Sequence, residues 1–175
     1  MPTDEYLNIV DASDKTIGKK LRTEISKSDI YRVSSLWVFD QDKNLLVAQR
    51  PEWKKHDSGK WTESAVGTVE HGETYESNLV KEAWEELGIK PSLPDLVFIS
   101  KQFHESKNGR MFGAMYAILL DQVRPKIDYS QKEVSNIDWV SHSDMISQLA
   151  NIDSRFVDGL EKFYTEVWEK VSSVK

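Results

Sequence analysis

The stretch GTVEHGETYESNLVKEAWEELGI, Gly67 to Ile89, decides how this chain is read. From about Thr74 to Leu87 its apolar residues recur at helical spacing. Gly88, with Pro91 beyond it, marks the stop, because glycine reaches the left-handed cap at no steric cost. Leu79, Val80, Ala83, Trp84 and Leu87 spread over one side of that helix, and Glu82, Glu85 and Glu86 occupy the other. The three carboxylates are spaced i, i+3 and i+4, so they share a face. No basic residue stands one turn earlier, where Asn78 lies, and neither 89 nor 90 supplies one on that face. Like charges at i,i+4 cost about 0.2–0.5 kcal/mol per pair in an isolated helix. A hard divalent cation would neutralise them, since Mg²⁺ and Mn²⁺ take oxygen ligands and retain water or phosphate oxygens. The alternative is a solvated acidic face.

The charge of the whole chain leads back to this segment. With 29 acidic and 23 basic residues the net charge is −6. Between 67 and 89, Glu70, Glu73, Glu76, Glu82, Glu85 and Glu86 stand against Lys81 alone, a net of −5. The rest of the chain is nearly neutral and offers no basic track for nucleic acid or an anionic membrane.

Length and a 39% hydrophobic content fit one domain over residues 1–175. No apolar run approaches the roughly 20 residues of a membrane span. The start, MPTDEYLNIV, is acidic and lacks an apolar signal core, so a cytoplasmic location is expected. The absence of cysteine excludes disulfides, thiolate nucleophiles, Cys-ligated zinc and iron–sulfur clusters.

Working outward from the acidic helix, Val33–Phe39 and Leu45–Arg50 flank the turn-like DQDKN and are expected to form a hairpin. Trp61–Val66 is compatible with one strand. Leu96–Phe103 and Met111–Leu120 flank SKNGR, where Asn108-Gly109 is a type I′ hairpin signal. A short helix is expected around Ser143–Ala150. A longer one is expected from about Ser154 to Val171, with Phe156, Leu160, Phe163, Tyr164, Val167, Trp168 and Val171 along one apolar stripe. Strands before, between and after helices indicate an α/β sandwich with a mixed sheet.

The spacing of Gly67, Glu73 and Lys81-Glu82-Ala83-Trp84-Glu85-Glu86-Leu87-Gly88-Ile89 resembles the Nudix box, G-x5-E-x7-R-E-U-x-E-E-x-G-U. Every fixed position matches except that Lys81 stands where the family has arginine. The resemblance implies a Nudix-type α/β/α sandwich with a mixed central sheet. It also implies a loop–helix–loop that holds Mg²⁺ or Mn²⁺ for hydrolysis of a nucleoside diphosphate linked to another group. Carried over residue by residue, Glu85 and Glu86 correspond to metal ligands and Glu82 to a further ligand or the group that orients the water. The carbonyl at Gly67 would be an additional ligand. Glu73 corresponds to the glutamate that braces the motif arginine; its partner here would be Lys81, a point charge in place of a planar fork. A second catalytic glutamate, Glu133, is the candidate outside the box.

Residues 6 to about 150 also resemble the branch that includes isopentenyl diphosphate isomerases and their hydrolase relatives. Those isomerases carry a cysteine and a histidine on either side of the box glycine, where this chain has Val66 and Thr68. They also have a histidine ligand near Ile30-Tyr31-Arg32, where none stands here. The resemblance therefore implies a hydrolase on that scaffold, with a small-molecule diphosphate, such as a nucleotide, as substrate. A non-catalytic nucleotide-binding sensor is the alternative. Arg50 and Lys60, with Lys54 and Lys55 between them, form a basic loop suited to phosphate oxygens. Trp53, Phe103 and Phe112 are candidates for stacking on a base, with core packing the alternative for isolated aromatics near strands. The expected assembly is a monomer or homodimer.

Overall fold

In the computed structural model, residues 5–106, 109–151 and 155–174 are described. Among these described residues nine strands and three α-helices follow in the order β1 (Tyr6–Val10), β2 (Thr16–Leu21), β3 (Ile30–Phe39), β4 (Leu45–Gln49), β5 (Trp61–Thr62), β6 (Ala65–Thr68), α1 (Tyr75–Leu87), β7 (Val97–Ser106), β8 (Gly109–Leu119), β9 (Asn136–Val140), α2 (His142–Leu149) and α3 (Leu160–Ser173).

The hub is β3. The end of its run IYRVSSLWVF, Leu36 to Phe39, is unbroken in apolar residues because both faces are covered there. Leu36 and Val38 pack on one side with Leu79, Ala83 and Leu87 of α1. Trp37 and Phe39 pack on the other with Met145 of α2 and Leu160, Tyr164 and Val167 of α3. This makes the expected α/β/α sandwich. The sheet is mixed, since β3 runs parallel to β8 from Ile30↔Arg110 to Phe39↔Leu119 and antiparallel to β6 from Val33↔Thr68 to Leu36↔Ala65.

The hairpin expected from DQDKN exists only at its tip. Asp40, fully buried, accepts from the backbone N–H and side chain of Asn44 and from the Arg124 N–H, which fixes the turn. Beyond the pair Phe39↔Leu45 the strands part, and β4 joins β9 and β5 instead. The single strand expected over 61–66 is likewise two short ones, on opposite wings. Between them the Ser64 hydroxyl donates to the Leu46 carbonyl and accepts from the Val38 N–H, so it stitches the wings at the point of divergence.

β7 and β8 pair as expected, down to Ser106↔Gly109; Lys107 and Asn108 of the turn lie outside the described residues. The last helix begins later than its apolar stripe suggests. Ser154 lies outside the described residues, and Gly159, at φ +86°, sets the start of α3 at Leu160. Phe156 is buried but off the helix, where it bridges to Trp61. The strands β1 and β2, which no pattern announced, pair antiparallel from Tyr6↔Leu21. No helix among the described residues is long and apolar enough to cross a membrane.

Candidate active site

Helix α1 is delimited by local chemistry. The Thr74 hydroxyl accepts from the Ser77 N–H while the Ser77 hydroxyl accepts from the Thr74 N–H, a reciprocal cap. At the other end Gly88, at φ +67°, donates its N–H to the Trp84 carbonyl. Leu79, Ala83 and Leu87 anchor the helix on the sheet, and this orientation turns the row Asn78, Glu82, Glu86 toward β6. Trp84, expected on the apolar side, is instead 51% exposed with the Lys90 ammonium 4.0 Å from its ring centroid.

Gly67 is required by close approach. A Cβ there would stand 2.1 Å from Cγ and 2.6 Å from Oε1 of Glu82. One residue earlier the Val66 N–H donates to Glu86 Oε2 at 3.3 Å. The box glycine and its neighbour thus form a floor against which two carboxylates lie.

Both carboxylates are poorly solvated. Burial, and then the charge of Glu82, pushes Glu86 up to about 8. Burial also pushes Glu82 up to about 7, with Glu85 and Glu73 adding to the rise while Lys81 and Asn78 oppose it. Carboxylates displaced in this way by desolvation and like charge mark functional sites.

The N-terminal half of the segment is neutralised internally. Lys81 Nζ lies 2.6 Å from Glu70 Oε1 and 2.7 Å from Glu73 Oε1. Lys81 pairs with Glu73, and Glu70 is a second partner that sequence reading missed. Burial acts to raise Glu73, but Lys81, the Glu70 N–H and Asn78 outweigh it and hold its carboxyl below the ordinary value. On Lys81 the two glutamates outweigh burial and raise its pKa.

Glu133 approaches the same site from the segment after β8. The Ser130 N–H donates to the Glu86 carbonyl at 2.8 Å, and the Glu133 N–H donates to the Ser130 carbonyl at 3.0 Å, so this turn is tied to α1. The Glu133 carboxylate pairs with Lys54 at 2.9 Å, and both charges act on Glu86. Lys54 is thus the member of the basic loop placed at the carboxylates, with exposed Trp53 beside it. Lys60 points elsewhere: its ammonium pairs with Asp158, 3.0 Å away, across to the segment before α3. Tertiary pairing, invisible in the loop's composition, takes it out of the site. Arg50 donates Nε–H to the His56 carbonyl at 3.2 Å and lies in range of Glu63, whose carboxyl is raised by burial and bonded to the Thr62 hydroxyl. Phe103 and Phe112 pair with each other on β7 and β8, at 5.3 Å between centroids.

Among the described residues no three acidic or histidine side chains already converge as a metal cage. The donor chemistry nonetheless fits a hard cation. Glu82 and Glu86 are buried oxygen donors whose charges repel, Glu85 and Glu133 flank them, and water or substrate oxygens commonly complete such a sphere.

These features define a class, and the comparisons place the chain in it. The NUDIX domain family model matches residues 30–160, and the chain belongs to the Nudix family. Among curated relatives, the isopentenyl-diphosphate Delta-isomerase of Klebsiella pneumoniae subsp. pneumoniae is 27% identical over 151 residues, covering 83% of this chain and 81% of its own. Among solved structures, DR0079 from Deinococcus radiodurans superposes with a TM-score of 0.76 at 21% identity, over 92% of this chain and 98% of its own. A Francisella tularensis bifunctional NMN adenylyltransferase/ADP ribose pyrophosphatase, complexed with AMP and a Mn ion, follows with a TM-score of 0.62 at 20% identity. It is matched over 79% of this chain and 41% of its own.

Proposed function

We propose that this protein is a metal-dependent Nudix pyrophosphohydrolase that cleaves a diphosphate linkage in a nucleoside di- or triphosphate or a nucleoside diphosphate derivative. The observation that carries the reading is the buried Glu82–Glu86 pair seated against Gly67 and Val66, with Glu133 facing it. Glu82, Glu85 and Glu86, with the Gly67 carbonyl, would hold Mg²⁺ or Mn²⁺. A bound cation supplies neutralisation of the diphosphate oxygens and a lowered pKa for the attacking water. The chain's own residues do the rest. Glu82 or Glu133 accepts the proton as the water oxygen bonds to phosphorus and the bridging P–O bond breaks. Arg50 and Lys54 offer cationic hydrogen bonds to the phosphate oxygens. Isomerase chemistry of the curated relatives is not supported, because Val66 and Thr68 stand where those enzymes carry cysteine and histidine and the chain has no cysteine.

The test is a phosphate- and pyrophosphate-release screen over nucleotides, nucleotide sugars, dinucleoside polyphosphates and prenyl diphosphates with Mg²⁺ or Mn²⁺. Metal-dependent turnover of at least one compound is expected. Tight metal-dependent binding of one compound with turnover of none would replace the enzyme with a sensor domain.

A further inference from the structure

Asn78 is fully buried on α1, at the position where the acidic face has no basic neighbour. Its Nδ2 donors face three oxygens: Glu73 Oε2 at 2.9 Å, the Thr68 carbonyl at 3.2 Å and Glu82 Oε1 at 3.3 Å. Its Oδ1 accepts from the Ser34 hydroxyl at 2.6 Å. Three acceptors on one side and a donor on the other leave only one orientation of the amide.

Lys81 shows why such a residue is needed. Its ammonium is consumed by Glu70 and Glu73 at 2.6 and 2.7 Å, and Glu82 Oε1 lies 4.0 Å away, outside hydrogen-bond range. A guanidinium at this position would carry five donors in a plane, enough to reach beyond the brace; an ammonium has three on one atom. The unreached oxygens, Oε2 of Glu73 and Oε1 of Glu82, are those that Asn78 contacts.

We infer that Asn78 and Lys81 together do the work of one arginine, Lys81 supplying the charge and Asn78 the additional donors. On this assignment Asn78 is a positioning residue that links the Glu73 brace to Glu82 and holds the Glu82 carboxylate against Gly67. The inference rests on the reading of Glu82 as a metal ligand, and it predicts a rescue that packing alone cannot give. Removing the amide deprives Glu82 of its donor, and an arginine at 81 returns one.

The experiment titrates Mn²⁺ alone into the full-length protein, followed by EPR of the free ion, with melting temperature measured in parallel. Asn78→Ala is expected to weaken Mn²⁺ binding about tenfold or more, the usual size of an outer-sphere loss. Adding Lys81→Arg to that variant is expected to recover most of the affinity, with K81R alone as the reference corner of the cycle. Unchanged affinity in N78A, or a loss that K81R does not reverse, would overturn the inference. Should N78A not fold, Ser34→Ala frees Asn78 Oδ1 and is expected to weaken binding in the same direction; unchanged affinity there would overturn it equally. Wild-type protein that binds no Mn²⁺ would overturn the metal-centre reading itself, and this inference with it.

Discussion

At the N-terminal half of the Gly67–Ile89 segment, Glu70 and Glu73 each have the Lys81 ammonium within 2.7 Å, whereas further along α1 the nearest lysine to Glu82 is 4.0 Å away. The Glu86 carboxylate, a turn beyond, accepts from the Val66 backbone N–H at 3.3 Å. The same residue type therefore does two jobs within 20 residues. Where each charge has a partner, the carboxylates fix the loop to the helix, and Glu73 titrates low. Where negative charge is in excess and buried, they titrate high, as Glu82 and Glu86 do. The division teaches that net charge in a box of this kind is less informative than which glutamates are already satisfied.

The contrast can be broken sterically at Gly67. Gly67→Ala places a methyl group in the volume of the Glu82 side chain and must drive that carboxylate off the floor. Metal-dependent hydrolysis is expected to fall by about a hundredfold, as for loss of a ligand's support, with an overpacking cost of about 1–3 kcal/mol in chemical denaturation. Full activity in G67A would show that Glu82 does not act from this position.

At the braced half the effect is on stability. Lys81→Ala leaves Glu70 and Glu73 facing each other without a counter-ion. Because these groups are partly exposed, the expected cost is only about 1–2 kcal/mol, read as a fall of roughly 2–8 °C in melting temperature.

The unbraced half should show itself in the pH dependence of the metal-free protein. Glu82 and Glu86 titrate near 7 and 8 in the folded state against an ordinary value of 4.5. The folded chain thus binds more protons than the unfolded chain through that window, and stability falls as pH rises from about 5 to 8. The double variant E82Q/E86Q is expected to flatten this slope, and Mg²⁺ or Mn²⁺ to offset it in the wild type by binding the folded form. An equal slope in the double variant would place the titration elsewhere.

The smallest effect is expected at Lys60. Its partner, Asp158, is largely exposed, so Lys60→Ala should change stability by no more than about 0.5 kcal/mol. Turnover should be unchanged, whereas Lys54→Ala should raise KM.

Much of this site was legible because its signals are local. The ends of α1 follow from Thr74 and Gly88, and the carboxylate row follows from helical spacing. The strand β3 follows from its apolar run. Tertiary effects concealed the rest. β2 is the polar, exposed strand TIGKKL, which carries no alternation to read. The apolar stripe before α3 continued through Phe156 and hid the break at Gly159. Lys60 and Lys54 are indistinguishable in composition, and only the folded chain turns one to Asp158 and the other to Glu133. Asn78 reads in sequence as the absence of a base, although its buried amide supplies donors that a lysine would have provided with charge.

The most direct test is Glu86→Gln, which keeps the shape of the side chain and removes its charge. With folding verified by melting temperature, Mg²⁺-dependent hydrolysis of whichever compound the wild type turns over is expected to be abolished. Turnover retained at the wild-type rate in folded E86Q would contradict the assignment of the Glu82–Glu86 pair as the catalytic metal site.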